Sequence, residues 1–268
     1  MTTTGRTTPM PRAPIDPLRR TAFLAGALYV LTFLASIPAL FVLSPVLDDP
    51  GYIVGPGADT RVTFGALLDV VNALACIGTA VVLYPVVKRQ SQVLALGFVT
   101  TRLLEAAIII PGVMALLTVV TLRQSFAAGT GGLAGADPDV LVTVGAALVA
   151  FRDWSFFFGP GMAVANALLL GTLMYRSRLV PRWIPVLGLV GAPLLLAGKT
   201  ATLFGLIGEF SAWTAVTLPG IFVWELSLGI YLMVKGFRPS PVTAGMIADG
   251  ARRPGPAVVA AAGSERSR

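Results

Sequence analysis

The sequence predicts an all-α membrane protein, a polytopic bundle of six transmembrane helices with both termini cytoplasmic. Three observations carry that reading. The 268-residue chain is 55% hydrophobic with a mean hydropathy of +0.81, yet only 12% of its residues are charged, roughly half the share usual in a soluble domain. Its apolar residues fall into runs near the ~20 residues that a helix needs to cross a bilayer. Its Lys and Arg residues gather at alternate ends of those runs, the pattern of a chain oriented by the positive-inside rule.

Composition also narrows the function. The net charge of +7 could serve nucleic-acid binding, but the basic residues cap apolar runs and form no polar face, so topology explains them and no nucleic-acid partner is expected. There is no histidine, which removes His metal sites, Ser-His and Cys-His catalysis and histidine proton relays. Cys76 is the single cysteine, so no intrachain disulfide can form. The chain has no GxGxxG, Walker-type loop, GxSxG, HExxH or CxxC, so no cofactor is expected and the reading leans away from an enzyme.

The elements follow in order. Residues 1–20, rich in Thr, Pro and Arg over Met1–Asp16, are read as a disordered cytoplasmic tail. Thr21–Ser44 is about twice the length of a signal-peptide core, which favours an uncleaved first span. The loop Pro45–Arg61 holds Asp48, Asp49 and Asp59 with turn-forming Pro and Gly. The second span is Val62–Val87 and the third Val93–Leu122. A Gly-rich flexible loop then runs to Asp139.

The fourth region, Val140–Tyr175, is too long for one straight crossing. Arg152, Asp153 and Trp154 read as an interfacial cluster, and Gly159-Pro160-Gly161 as a break. The expectation is a short interfacial helix over Val140–Phe151, then a span over Ser155–Tyr175. Trp183–Leu206 and Trp213–Val234 complete the six. The transmembrane domain thus covers 21–237, and 238–268 forms a second disordered cytoplasmic tail.

The basic residues support this arrangement. With both termini inside, the cytoplasmic segments hold Arg6, Arg12, Arg19 and Arg20, then Lys88 and Arg89, then Arg176, Arg178 and Arg182, then Lys235 and five arginines beyond it. Only Arg61 and Arg123 fall outside. Splitting the fourth region into two crossings would invert that bias for every later loop, which argues against seven spans.

Charges inside the spans mark the candidate site, because an ionisable group in hydrocarbon is costly and is a functional candidate by default. Asp69, Asn72, Arg102, Glu105 and Glu225 form the candidate polar pocket, with Arg152, Asp153 and Lys199 as secondary candidates. Arg102 and Glu105 share a helix face at i,i+3 and read as a mutually neutralising pair. Glu225 and Asp69 have no local partner and carry more of the functional question. Lys199 can snorkel outward. The competing reading is that all these charges pair across helices and only fix the packing. Trp154, Trp183 and Trp213 fit an aromatic belt at the membrane edges, and Gly188 and Ala192 fit close helix packing.

Three stretches carry a resemblance: RRTAFLAGALYVLTFLASIPA at 19–39, FRDWSFFFGPGMAVANALLLGTLMYRSRLVPRW at 151–183 and LPGIFVWELSLGIYLMVKGF at 218–237. Together they resemble the bacterial domain-of-unknown-function family numbered 4386, small multi-pass membrane proteins. The resemblance spans about residues 18–238. It implies an integral protein of a bacterial inner membrane and supplies no activity or site residue. The expected function is binding or transport of a small polar or amphipathic molecule through the intramembrane pocket, with the lipid bilayer as the certain partner. The alternative is a non-enzymatic scaffold or accessory subunit; an enzyme acting on lipid ranks third.

Overall fold

A computed structural model describes residues 17–208 and 212–244. The expected tails at Met1–Asp16 and 245–268 lie outside these residues. Among the described residues the α-helices are α1 (Pro17–Val42), α2 (Ser44–Leu47), α3 (Asp59–Val87), α4 (Gln92–Ala127), α5 (Pro138–Phe158), α6 (Ala163–Ser177), α7 (Trp183–Leu203) and α8 (Ala212–Val234). No strand occurs among the described residues. Helices are what apolar runs of this length must form in lipid, where each backbone N–H and C=O has to be satisfied inside its own segment. The Ser91 hydroxyl caps α4 by accepting the Leu94 amide, and the Asp137 carboxylate caps α5 by accepting the Asp139 amide. Pro38, Pro85, Pro111, Pro193 and Pro219 all lie inside continuous helices.

Among the described residues five helical segments are long and apolar enough to cross a membrane: Pro17–Val42, Asp59–Val87, Gln92–Ala127, Pro138–Ser177 and Trp183–Leu203. Pro219–Val234, within α8, is a shorter apolar stretch. Their outward faces are oily. Leu34, Phe41, Leu67, Leu74, Val81 and Met114 are all more than half exposed, which for a protein in water would be an aggregation hazard and for one in lipid is a solvated surface.

The helices close a ring. α1 packs on α3, α3 on α4, α4 on α6, α6 on α7, α7 on α8 and α8 back on α1, while α5 lies along α4. Small residues permit the closest approaches. A Cβ on Gly26 of α1 would stand 2.4 Å from the Gly229 carbonyl oxygen of α8, and one on Gly191 of α7 would meet the Gly220 backbone at 2.8 Å. Gly188 gives room to Trp224, which is fully buried. The packing expected of Gly188 and Ala192 thus extends to Gly191, because α8 crosses α7 at its backbone.

Hydrogen bonds close the end of the ring that carries Lys88. The Arg19 guanidinium donates to the Leu232, Met233 and Val234 carbonyls, capping α8 from α1. The described part of the expected second tail is docked there. The Arg238 amide donates to Leu179 O, the Ser240 hydroxyl to Ser177 O, and a helical turn forms over 241–244. At the other end of the chain, α1 begins at Pro17, four residues before the expected Thr21 start.

One boundary differs in kind. The short interfacial helix expected over Val140–Phe151 is instead part of α5, which runs unbroken from Pro138 through Arg152, Asp153 and Trp154 to Phe158. The break falls at Gly159, followed by a 3-10 turn over Pro160–Met162. The reason is electrostatic. Arg152 is 4% exposed and finds its counter-charge inside the protein, so the helix has no need to surface at that point. The break comes where the Gly-Pro-Gly sequence weakens the backbone ladder.

Candidate functional site

Two separate charge clusters occupy the interior. The first sits in the ring and draws on five of its six helices. α4 presents Phe98, Arg102, Glu105 and Ile109 inward at three- and four-residue spacing. The Arg102 guanidinium, 1% exposed, donates from Nη1 to Glu105 Oε2 at 3.0 Å and from Nη2 to Glu225 Oε1 of α8 at 2.7 Å. Its Nη1 also lies 3.6 Å from Cys76 Sγ of α3, and its carbon stands 5.0 Å from the Tyr29 ring centroid of α1. From α6, the Asn166 amide donates to Glu105 Oε2 at 2.7 Å and accepts from the Thr101 hydroxyl at 2.5 Å. Arg102 Nε alone has no partner. One guanidinium is thus shared by two carboxylates; the bond to Glu225 ties α4 to α8, those of Asn166 tie α6 to α4, and the bond to Glu105 stays within α4.

The second cluster lies between α3 and α5. Arg152 Nη2 stands 3.7 Å from Asp69 Oδ2, and Nη1 stands 3.5 Å from Asp153 Oδ1. The first distance is an ion pair but too long for a hydrogen bond. Arg152 Nη2 is buried and makes no hydrogen bond, although its guanidinium stacks 4.5 Å from the Phe156 ring centroid. A cavity of about 10 Å³ opens beside it, lined by Asp69, Gly112, Arg152 and Ser155 with apolar neighbours. That is space for about one water molecule. Gly112 makes the approach of α5 possible, since a Cβ there would meet Ser155 Cβ at 2.9 Å. Lys199 of α7 places Nζ 4.1 Å from the Phe157 ring centroid.

A groove of about 180 Å³ lies on the other side of α5. Val46, Tyr52, Ile53, Val119, Gly145 and Val149 form its apolar wall, and Asp49 and Asp153 supply carboxylates. Above it the loop before α3 is tied down. Arg123 of α4 pairs with Asp59 through one guanidinium edge, donating from Nε to Oδ1 at 2.6 Å and from Nη2 to Oδ2, while Nη1 donates to the Gly55 and Pro56 carbonyls. The Tyr52 hydroxyl donates to Asp59 Oδ1 at 2.8 Å. Burial, then this contact with a carboxylate, pushes the Tyr52 hydroxyl pKa above its ordinary value.

The candidate pocket read from the sequence is therefore divided. Arg102, Glu105 and Glu225 converge; Asp69 instead faces Arg152, which also reaches Asp153. Asn72 is buried on the same α3 face, about one turn from Asp69 and one from Cys76. Asp69 and Cys76 are seven residues apart on α3, so the clusters stand about 10 Å apart along it. Asp69 and Glu225, which have no partner on their own helices, find one on another helix. Arg152, placed at the interface by sequence, is internal. Sequence reading passed over Asn166, Thr101, Tyr29 and Arg123. Asn166 carried a signal, as the one amide in the run MAVANALLLG.

Among the described residues no group of three or more His, Cys, Asp or Glu is placed to hold a metal ion. The arrangement offers charge recognition and buried hydrogen bonding. No curated protein and no solved structure matches the chain. A family profile described as "Domain of unknown function (DUF4386)" matches residues 24–236, which takes in both clusters and all of the helical ring except the start of α1. The chain belongs to that family.

Proposed function

We propose that this is an integral membrane protein with six spans that binds a small polar or amphipathic molecule at the Asp69–Arg152 cluster. α8, 23 residues long, serves as the sixth span in this reading. Orientation follows from charge. Arg19, Lys88, Arg89, Arg182 and Lys235 gather at one end of the ring, and Asp48, Asp49, Asp59 and Asp137 at the other. The positive-inside rule then places the basic end and both termini in the cytoplasm. The bacterial inner membrane is the location proposed with it.

The observation that carries the reading is Arg152 Nη2, a buried donor with no hydrogen bond, held 3.7 Å from a carboxylate beside a small cavity. Leaving such a donor unmade costs about 1–3 kcal/mol, more for a charged group. A ligand whose polar end fills that one-water space, offering an acceptor to Arg152 and a donor to Asp69, would recover that energy. The apolar groove across α5 supports an amphipathic ligand, with its polar end directed to the helix that carries Arg152 and Asp153.

The test uses the full chain in lipid nanodiscs and thermal unfolding with three probes: a short-chain zwitterionic, a cationic and an anionic amphiphile. The zwitterion is expected to raise Tm in the native protein and to lose that effect in Asp69→Asn, which stays folded. Absence of a shift with every probe, or loss of folded Asp69→Asn protein, would refute the reading.

A second reading has its own support. Arg102 pairs with both Glu105 and Glu225, so this cluster fits a structural role, setting the register of α4 against α8. A scaffold needs only such clusters, and in that case Asp69→Asn lowers stability without affecting any ligand.

A further inference from the structure

The first cluster does not balance its charge. Glu105 and Glu225 are two acids, and among the described residues Arg102 is the sole cation paired with either. Their side chains are 7% and 14% exposed, and that of Arg102 2%. With every group ionised, a net negative charge would remain in a bundle interior with lipid around it. Isolated buried charge costs far more than a buried neutral carboxyl, so such sites recruit a compensating cation or a proton.

The surrounding side chains offer no further cation. Tyr29 from α1, Cys76 from α3, Thr101 from α4 itself and Asn166 from α6 face the guanidinium and the two acids. Tyr29 and Cys76 can only lose protons, and Asn166 is neutral. A metal ion would need several converging oxygens. Yet Glu105 Oε2 and Glu225 Oε1 already face Arg102, and no metal-holding group of acids forms among the described residues.

We infer that the Glu105–Arg102–Glu225 cluster is a proton-binding site, holding one proton at neutral pH on Glu105. The proton comes from water and adds to a carboxylate oxygen, with no other bond made or broken. Glu105 is the more buried acid, and Oε2 already accepts from Arg102 and Asn166, which leaves Oε1 to carry the hydrogen. Glu225 Oε1 keeps its contact with Arg102 Nη2 at 2.7 Å. Loss of the proton would place two carboxylates on one guanidinium and loosen the tie between α4 and α8. The site is independent of the ligand cluster proposed above.

Infrared difference spectroscopy of the full chain in nanodiscs tests this through the protonated-carboxyl C=O stretch. An ordinary Glu has a pKa of about 4.3, so a carboxyl band persisting at neutral pH reports a held proton. The native protein is expected to show that band, and Asp69→Asn, in the other cluster, to keep it. Glu105→Gln should abolish it. Glu225→Gln should also abolish it, because removing the second acid leaves Glu105 matched one-to-one with Arg102. The second variant keeps the test decisive if the first fails to fold. The inference is overturned if the native protein lacks the band at neutral pH, or if the band survives in a folded Glu225→Gln protein.

Discussion

Replacing Arg102 by Met keeps the length of the side chain and removes its charge. The change deletes two ion-paired hydrogen bonds, at 3.0 Å to Glu105 and 2.7 Å to Glu225, and the contact with the Tyr29 ring. A hydrogen bond to a charged group contributes about 1.5–3 kcal/mol. Breaking a buried pair by removing one partner costs about 3–5 kcal/mol, because the other charge is left uncompensated. Here two acids are stranded, one of them already neutral if the proton site is right. The expected destabilisation is therefore about 3–5 kcal/mol, one stranded carboxylate. Equilibrium unfolding in nanodiscs measures it. Replacing all three residues, as Arg102→Met, Glu105→Gln and Glu225→Gln together, should restore most of that loss, since no buried charge then remains. The reasoning fails if the single substitution costs under about 1 kcal/mol, the level of an exposed pair, or if the triple variant is no more stable than the single one.

Gly26→Val should separate α1 from α8, because a Cβ there meets the Gly229 carbonyl at 2.4 Å and the Met233 amide at 2.7 Å. A loss of about 1–3 kcal/mol in unfolding free energy is expected, the range for overpacking a tight contact. Arg123→Ala frees Asp59 and the Gly55 and Pro56 carbonyls at once. Hydrogen exchange should then quicken in residues 50–58 while α6 and α7 stay unchanged. Reporter fusions at positions 55, 90, 130, 178, 209 and 245 should report outside at 55, 130 and 209 and inside at the others. An outside signal at 178 would rule out six spans.

Membrane character and the long helices were legible in the sequence because a bilayer leaves so few options: an apolar run of this length must satisfy its own backbone. The Arg102–Glu105 pair was legible for the same local reason, since i,i+3 spacing puts both on one face. Depth in a span, however, says nothing about azimuth. Asp69 and Glu225 each looked solitary because their partners, Arg152 and Arg102, lie 83 and 123 positions away. The burial of Arg152 was not legible because an arginine beside Asp and Trp has the composition of an interface; only the packing of α5 on α4 at Gly112 shows that it is covered. Asn166 was passed over because one amide in an apolar helix is cheap. Its role appears once α6 is placed against Glu105.

In the function proposed above, the two clusters differ in kind: Arg102 holds the bundle together and Arg152 serves the ligand. Thermal unfolding of Arg102→Gln and Arg152→Gln side by side, each with and without the zwitterionic amphiphile, tests it most directly. Arg102→Gln should lower Tm strongly, and the fraction still folded should keep its response to the amphiphile. Arg152→Gln strands Asp69 and should also lower the unliganded Tm, but by less than Arg102→Gln because the 3.7 Å pair carries no hydrogen bond, and it should lose the response. Equal loss of stability in both, or a response preserved in Arg152→Gln, would contradict the account.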